Sequence, residues 1–397
     1  MKQILYISSL SSKRLINEIH KKTGADPGFA VQKFNRNIVH GIIQNGINIE
    51  IYSKPPKNNV VGCSWVSTPS EVEEGLQYNY VNFFNFPFLK DICVFLNTFW
   101  KVLVFGLSNR KRKAVVCDIL AISMNMGAIL ASKLVGIKIV GIVTDMPGLM
   151  VGGLENSKSF LERIKTKINL SYIRSYTHYV FLTEQMNEVI NTRHRPYIVM
   201  EALCDNVLST FPATSFVKAE PKIIMYAGGM HQRYGVKMLV EAFRKIERND
   251  IKLVLLGSGP YVNELQQVVK EDSRVEYRGV LTNEEVILLE LESTLLVNPR
   301  PTTEEFTKYS FPSKNIEYMS SGTPLLTTKL PGMPKDYYPY IYLLEDESVE
   351  GYTNTLCAVL SIAEDILREK GQSAREYVLK NKNLKVQTSR ILHLIGS

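Results

Sequence analysis

The sequence predicts an α/β protein of two domains, each built around a parallel β-sheet. Apolar strand-like segments alternate with amphipathic helical segments through both halves of the chain, which is the pattern that βαβ units produce. A chain of 397 residues is also long enough for two separate hydrophobic cores. We therefore predict domains over 1–210 and 218–375, a linker within 208–222, and a C-terminal helix within 376–397 that returns to the first domain.

The first domain begins with a strand over 3–8, and residues 9–32 follow it without a clear period. Because that stretch contains Gly24, Pro27 and Gly28, we predict a long loop at the carboxyl end of the strand. Alternating strands and helices follow this loop. They are predicted as a helix over 31–44, strands over 47–52, 79–84, 114–117, 137–144, 178–182 and 197–200, and helices near 88–105, 120–135 and 158–174.

Asp145 follows the predicted strand over 137–144, at the end where α/β domains place polar groups that bind ligands. The next residues, Met146-Pro147-Gly148, form a turn signal, and aspartate before a turn is also common turn chemistry. Both a functional role and a turn role therefore stay open for Asp145.

Three predicted strands of the second domain end in small or basic residues. The strands cover 222–227, 251–256 and 294–297, and the carboxyl ends of parallel strands meet at one edge of a sheet. A glycine between a strand and a helix also lets backbone N–H groups meet an anion. We therefore expect phosphate contacts from this edge. The residues concerned are Gly228, Gly229, Arg233, Gly257, Gly259 and Arg300.

A short helix is predicted from Pro312 to Ser321, because proline suits the first helical position and Gly322 suits the C-terminal cap. Its N-terminal N–H groups, around Ser313, attract phosphate. Lys314 and Glu317 are three residues apart and share one helix face. Together they offer a cation to a phosphate and a carboxylate to paired hydroxyls, as a nucleoside diphosphate requires. The alternative is a surface helix with one ion pair.

Composition limits the partners and the compartment. Lys and Arg number 47 against 39 Asp and Glu, and this net charge of +8 suits phosphate-bearing ligands or an anionic membrane surface; we expect no nucleic acid partner. The five cysteines are widely spaced and never form a C-x-x-C pair, which predicts a reduced cytoplasm and no zinc site. No D-x-D triplet occurs, so no metal site is predicted. Met1 leads almost directly into the first strand, which also favours the cytoplasm.

The order of these residues resembles glycosyltransferase family 4, whose members have the GT-B fold of two Rossmann-like domains with parallel sheets facing across a cleft. The resemblance runs from Ile223 to about Ile395. Its most specific part is Phe311-Pro312-Ser313-Lys314-Asn315-Ile316-Glu317-Tyr318 with Ser321-Gly322-Thr323-Pro324, which looks like the variant common among bacterial capsule and exopolysaccharide glycosyltransferases. The first half matches loosely, through 1–46 and Thr144-Asp145-Met146-Pro147.

The resemblance implies a retaining enzyme that needs no metal and no separate cofactor. It would move a sugar from a nucleotide sugar of UDP or GDP type to a lipid-linked saccharide acceptor, as in surface polysaccharide synthesis. The first domain would bind the acceptor and the second the donor. Asp145 and Glu317 would serve in catalysis, and Glu317 would also hold the ribose.

The sequence also departs from the family pattern. Gly229 and Tyr234 stand where the family usually has an arginine and a lysine that hold the diphosphate, and Tyr309 replaces the first of two glutamates. Thr144 stands in place of a histidine. Two other functions therefore remain open: a non-catalytic GT-B protein that binds a nucleotide sugar or a partner, and a sugar-nucleotide epimerase on the same fold.

The segment over 83–113 combines aromatic residues, among them Phe95, Phe99 and Trp100, with a basic cluster over 110–113. Its apolar run of about 16 residues is shorter than the roughly 20 needed to cross a bilayer, and Lys101 interrupts it. An aromatic helix beside basic residues suits an anionic lipid interface. We predict peripheral contact with the inner face of the cell membrane, with a core helix and a solvated loop as the alternative.

Overall fold

The computed structural model describes residues 3–24, 26–55, 63–108, 113–146, 160–204 and 220–396, and only the backbone of 160–165. The chain divides into a first unit, Met1–Leu203 with Leu384–Ser397, and a second unit, Cys204–Asn383. The second unit runs eight residues beyond the predicted limit at 375, because one helix continues to Asn381 and buries Val378. Most of the predicted linker lies outside the described residues.

The first unit contains an eight-stranded sheet in which every neighbouring pair is parallel except the last, where β4 is antiparallel to β5. Alternating apolar residues from the central strands, such as Ile4, Tyr6 and Val116, form its core. Across the sheet, the order is β10 (Tyr197–Val199), β9 (His178–Phe181), β8 (Lys138–Val143), β7 (Lys113–Asp118), β1 (Gln3–Ser8), β2 (Asn48–Ser53), β5 (Leu76–Tyr80) and β4 (Glu71–Glu73).

A separate antiparallel pair joins β3 (Trp65–Val66) to β6 (Phe83–Phe84). The strand predicted over 79–84 is therefore two strands, β5 and β6, in different sheets. The helices of this unit are α1 (Lys13–Thr23), α2 (Phe29–Gln44), α3 (Leu89–Leu107), α4 (Ile122–Val135), α5 (Phe160–Ile173), α6 (Glu184–Ile190) and α13 (Leu384–Gly396). None of the helices in the described ranges is long and apolar enough to span a membrane.

The predicted loop over 9–32 is wrong, because α1 occupies its middle and α2 begins at Phe29. Only Ile16 and Ile19 of α1 are buried, so few apolar residues mark the helical period of this segment in the sequence. Its first turn is stabilised from a distance: Glu73 of β4 accepts the backbone N–H groups of Lys13 and Arg14 at 2.6 and 3.0 Å. A partner sixty residues away cannot be read from local sequence.

The C-terminal helix α13 lies against α2 within the first unit. The amide of Asn45 donates to the carbonyl of Lys385 at 2.9 Å and to Thr388 Oγ1 at 3.1 Å. Gly41 permits this approach, since a Cβ there would come within 2.6 Å of the Leu384 carbonyl oxygen.

The second unit contains a six-stranded parallel sheet, which agrees with the predicted α/β class. Its core is formed by the apolar strand residues and by one face of the surrounding helices. Across the sheet, the order is β13 (Val275–Tyr277), β12 (Ile251–Leu256), β11 (Lys222–Ala227), β14 (Leu295–Asn298), β15 (Leu325–Thr328) and β16 (Tyr342–Leu344). Its helices are α7 (Val236–Arg244), α8 (Val262–Glu271), α9 (Asn283–Glu292), α10 (Ser313–Ser321), α11 (Val349–Leu360) and α12 (Glu364–Asn381).

Candidate functional site

Helix α10 is held at the carboxyl edge of the second sheet by two buried contacts. The Tyr318 hydroxyl accepts the N–H of Ala227, the last residue of β11, at 2.7 Å and donates to its carbonyl at 3.2 Å. Burial raises the pKa of Tyr318 well above its usual value, so this hydroxyl keeps its proton. Asn298, the last residue of β14, donates to Asn315 Oδ1 at 2.6 Å. The helix thereby lies across the ends of two neighbouring strands.

The limits of α10 agree closely with the prediction. Gly322 forms its C-terminal cap with a φ of 82°, a left-handed conformation that glycine adopts without strain. Pro312 lies one residue outside the helix as its N-terminal cap, and the exposed Ser313 is the first helical residue. The side chain of Pro312 makes no capping hydrogen bond to this first turn. The N–H groups of the turn are therefore suited to an anion.

Lys314 and Glu317 do share one face of α10, but they bind each other. Lys314 Nζ lies 2.7 Å from Glu317 Oε1 and 3.8 Å from Oε1 of the buried Glu290. The ammonium group is thus balanced by two carboxylates. A diphosphate at this edge would need positive charge from other residues as well.

Arg300 supplies such a charge. Its guanidinium carbon lies 5.1 Å from the ring centre of Tyr234 and 5.3 Å from that of Phe306. Burial lowers the pKa of Arg300, and the nearby charge of Arg233 lowers it further. Its buried Nε has no hydrogen-bond partner among the described residues. Because a buried charged donor without a partner is costly, this arrangement favours an anionic ligand.

Arg233 lies against the same aromatic ring. Its guanidinium carbon is 4.6 Å from the centre of Phe306, and Nη2 lies 3.3 Å from Glu304 Oε2. The buried Nε of Arg233 also has no hydrogen-bond partner within the described part of the chain. Two arginines and one phenylalanine therefore form a compact cationic cluster. Sequence reasoning named both arginines but missed Phe306.

The glycine loops pack tightly on each other. A Cβ at Gly257, where φ is 127°, would come within 1.8 Å of the Gly228 carbonyl oxygen, and one at Gly259 would come within 2.4 Å of that of Met230. The N–H of Gly228 donates to Leu256 at 2.9 Å, and that of Gly257 to Gly279 at 2.7 Å. These two N–H groups are therefore engaged by carbonyls, and the first role of the glycines is close loop packing.

Gly229 and Tyr226 connect the glycine loop to the arginine cluster. The Tyr226 hydroxyl donates to the Gly229 carbonyl at 3.0 Å, and a Cβ at Gly229 would meet the Tyr234 ring at 3.0 Å. Burial raises the pKa of Tyr226, while the charge of Arg300 opposes this shift. The predicted donor residues of the second unit thus gather at one edge of its sheet.

Asp145 lies two residues beyond β8 in the first unit, and burial raises its pKa. Sequence reasoning missed its neighbour Asp118, the last residue of β7. The Asp118 carboxylate is 2% exposed and accepts the N–H of Leu120 and the amide of Asn35, both at 3.0 Å. Burial raises its pKa too, with a contribution from Asp145. Residues 147–148 of the predicted turn lie outside the described residues.

Comparison with known families gives one match in the second half of the chain. Residues 221–361 match the family described as Glycosyl transferases group 1. This region contains the glycine loops, the arginine cluster and α10. A comparison with curated protein sequences finds no match.

Solved structures with the same fold cover nearly the whole chain. The protein has a GT-B fold. Sucrose-phosphate synthase from Thermosynechococcus elongatus is 14% identical with a TM-score of 0.63, the match covering 99% of this chain and 98% of that one. The apo lipopolysaccharide outer core galactosyltransferase WaaB is 14% identical with a TM-score of 0.59, covering 99% of each chain. Anabaena Alr3699/HepE in complex with UDP is 13% identical with a TM-score of 0.59, also covering 99% of each.

These findings together support a glycosyltransferase of GT-B fold. At 13 to 14% identity the structural likeness shows the fold alone. Donor and acceptor must be argued from this chain's own residues.

Proposed function

We propose that this protein is a retaining glycosyltransferase of family 4. It moves a sugar from a UDP or GDP sugar to a lipid-linked saccharide acceptor during capsule or exopolysaccharide assembly, at the inner face of the cell membrane. The family match over 221–361 and the UDP complex of a structural neighbour support a nucleotide-sugar donor. The observation that carries the proposal is the largely buried guanidinium of Arg300, whose Nε has no hydrogen-bond partner among the described residues.

In this proposal, the two arginines stabilise the leaving nucleoside diphosphate. Arg300 and Arg233 lie on the Phe306 ring, so their positive charge is in place before the donor binds. Preorganised charge is most effective where it meets negative charge that develops in the transition state. The N–H groups around Ser313, at the N-terminus of α10, bind the same diphosphate. The proposed reaction therefore uses neither a metal nor a separate cofactor.

Glu317 is proposed to accept hydrogen bonds from the ribose hydroxyls. Lys314 Nζ lies 2.7 Å from Glu317 Oε1, and this ion pair orients the Glu317 carboxylate. Asp145 is proposed to act in catalysis from the first unit. Burial raises its pKa, which favours the protonated carboxyl, and the alternative is a turn role.

Binding of nucleoside diphosphates is the first test. We expect thermal-shift assays with UDP, GDP, ADP and CDP to show stabilisation by one or two of them, and Arg300→Gln to reduce it. The sugar nucleotide of the best base is then incubated with a polyprenyl diphosphate-linked saccharide, and the product is detected by mass spectrometry. If no nucleoside diphosphate shifts the melting temperature, the proposed donor site is wrong.

A non-catalytic nucleotide-sugar protein is the second candidate, because Lys314 is already engaged by Glu317 and Tyr309 replaces a family glutamate. Donor binding without product in any acceptor assay favours this candidate. An epimerase would instead change the sugar nucleotide with no acceptor present. Incubation with the donor alone, followed by chromatography of the sugar, separates these outcomes.

A further inference from the structure

Helices α3 and α4 each carry a stripe of exposed apolar side chains at four-residue spacing. Four-residue steps keep side chains on one face of a helix. All eight side chains are between 41% and 65% exposed. They are Ile92, Leu96, Trp100 and Val104 on α3, and Ile122, Met126, Leu130 and Leu134 on α4.

The two helices lie side by side and run in the same direction. A Cβ at Gly127 of α4 would come within 2.4 Å of the Phe95 carbonyl oxygen, and one at Gly106 of α3 would come within 2.4 Å of Val135 Cγ2. At the other end, Ser123 Oγ donates to Asp91 Oδ1 at 2.6 Å. These contacts pair residues about 30 positions apart along the whole length of the helices.

The same offset of 30 positions relates the two stripes. Each exposed residue of α3 therefore lies level with one of α4, and the four pairs form a single apolar surface. At about 1.5 Å per residue, this surface is roughly 18 Å long. We name it the two-helix face. Its pairs are Ile92 with Ile122, Leu96 with Met126, Trp100 with Leu130, and Val104 with Leu134.

Only part of this face was predicted from sequence. Trp100 is exposed as expected, but Phe95 and Phe99 are half-buried, with their rings stacked at 6.5 Å. The basic residues 110–112 lie outside the described residues. The contribution of α4 was not predicted.

The charges on the two helices are mostly positive. Lys101 pairs with Glu50 of β2 at 2.5 Å. The remaining lysines, Lys90 and Lys133, outnumber Asp91, the one acidic residue of the two helices. Lys133 is exposed directly beside Leu134 at one end of the face. In a symmetric dimer through this face, like charges would approach each other, whereas an anionic lipid surface complements them. A large apolar surface with a positive rim is typical of a helix pair that lies in a membrane interface.

We propose that the two-helix face docks the protein on an anionic bilayer, with α3 and α4 lying in the plane of the membrane. The inference rests on the proposed function, because a lipid-linked acceptor keeps its reactive end at the bilayer surface. Trp100 suits this position, since tryptophan combines an apolar ring with a polar N–H and favours the interface.

Vesicle flotation tests the proposal. Wild type is mixed with vesicles of phosphatidylcholine containing 30% phosphatidylglycerol, or of phosphatidylcholine alone. We expect wild type to float with the anionic vesicles, and Leu96→Ser/Val104→Ser and Met126→Ser/Leu130→Ser each to lower the partition coefficient at least tenfold. Val280→Ser/Ile366→Ser is the matched control, because these side chains of the second unit are 73% and 53% exposed. This control should float like wild type.

Tryptophan quenching locates the face relative to the lipid. The chain has two tryptophans, so Trp65→Phe leaves Trp100 alone. We expect brominated phosphatidylcholine in anionic vesicles to quench Trp100 fluorescence, and Met126→Ser/Leu130→Ser to abolish the quenching. Unquenched Trp100 overturns the proposal. So does wild-type flotation of the α4 variant, or a dimer in light scattering that this variant dissociates.

Nucleoside diphosphate binding separates this inference from the proposed function. All of these substitutions lie outside the arginine cluster and α10, so the thermal shift with the best nucleoside diphosphate should match that of wild type. A variant that no longer floats but keeps the wild-type thermal shift has lost only the membrane contact. A wild type that floats but responds to no nucleoside diphosphate contradicts the proposed donor site and leaves the docking surface in place.

Discussion

The guanidinium carbon of Arg300 lies 5.1 Å from the ring centre of Tyr234, the residue that stands where the family it resembles usually has a lysine. The Tyr234 ring carries no positive charge and cannot replace that lysine at a phosphate. Its face can instead hold the guanidinium group of Arg300, which is positively charged. Arg300 follows the end of β14, whereas Arg233 lies in the loop before α7. Positive charge at the proposed donor site thus comes from two strand ends.

We predict that Arg300→Ala weakens binding of the preferred nucleoside diphosphate roughly tenfold to hundredfold. Loss of a charge-assisted hydrogen bond costs about 1.5–3 kcal/mol. Isothermal titration calorimetry measures the change. Arg278→Ala is the control, since Arg278 pairs with Glu276 on the surface of the same unit and should bind like wild type. Equal affinities for the two variants would place the diphosphate elsewhere.

Glu317→Gln and Lys314→Ala should both weaken nucleoside diphosphate binding, by roughly tenfold, because each removes one charge from the same face of α10. Their stabilities should differ. Lys314→Ala also removes the cation 3.8 Å from the buried Glu290, so its melting temperature should fall further than that of Glu317→Gln. Calorimetry and thermal unfolding give the two readouts, and unchanged affinity in both variants argues against this face as the ribose and phosphate site.

Asp145→Asn should lower turnover roughly hundredfold or more while leaving donor affinity within about twofold. Its effect on stability has a defined sign. A carboxyl whose folded pKa is raised binds more protons in the folded state, so its contribution to stability is complete below the usual value of 3.8 and is lost as pH rises through the folded pKa. The variant should therefore be at least as stable as wild type at pH 8, with the difference shrinking toward pH 4.

Asp250→Asn is the control, because its effect on stability is expected to have the opposite sign. Arg248 lowers the pKa of Asp250 to about 2, so this carboxylate stabilises the fold above pH 3.8 and loses that effect as pH falls. Its variant should be no more stable than wild type at pH 8. Thermal unfolding between pH 2 and 8 covers the pH windows of both variants. Full activity in Asp145→Asn would assign Asp145 to the turn alone.

Gly257→Ala should destabilise the second unit by more than the same substitution does at a glycine that has only a positive φ. Its Cβ would come within 1.8 Å of the Gly228 carbonyl oxygen, so the two loops would have to separate. Gly279→Ala is the matched control, because Gly279 has a φ of 70° and no atom within 4 Å of an added Cβ. That control should lose only about 1–2 kcal/mol of unfolding free energy. Equal losses in urea unfolding would contradict the close packing.

Features with a local cause were predicted well from sequence. Strands β11, β12 and β14 are mainly apolar runs and lie within one residue of their predicted limits, and the limits of α10 follow from Pro312 and Gly322, whose backbone preferences act within a few residues. Lys314 and Glu317 share a face because helical geometry requires it at that spacing. These relationships hold whatever the rest of the chain does.

Relationships between distant segments were decided by the tertiary structure. Helix α1 is stabilised by Glu73 of β4, and Arg300 lies on the ring of Tyr234, which follows a different strand. The apolar period of α4 is the same whether its stripe is buried or exposed, so only the packing of α3 beside it reveals the two-helix face. Sequence determines which side chains share one element, because backbone geometry is local. The fold decides what each face meets, because burial and charge pairing depend on segments that are far apart in the chain.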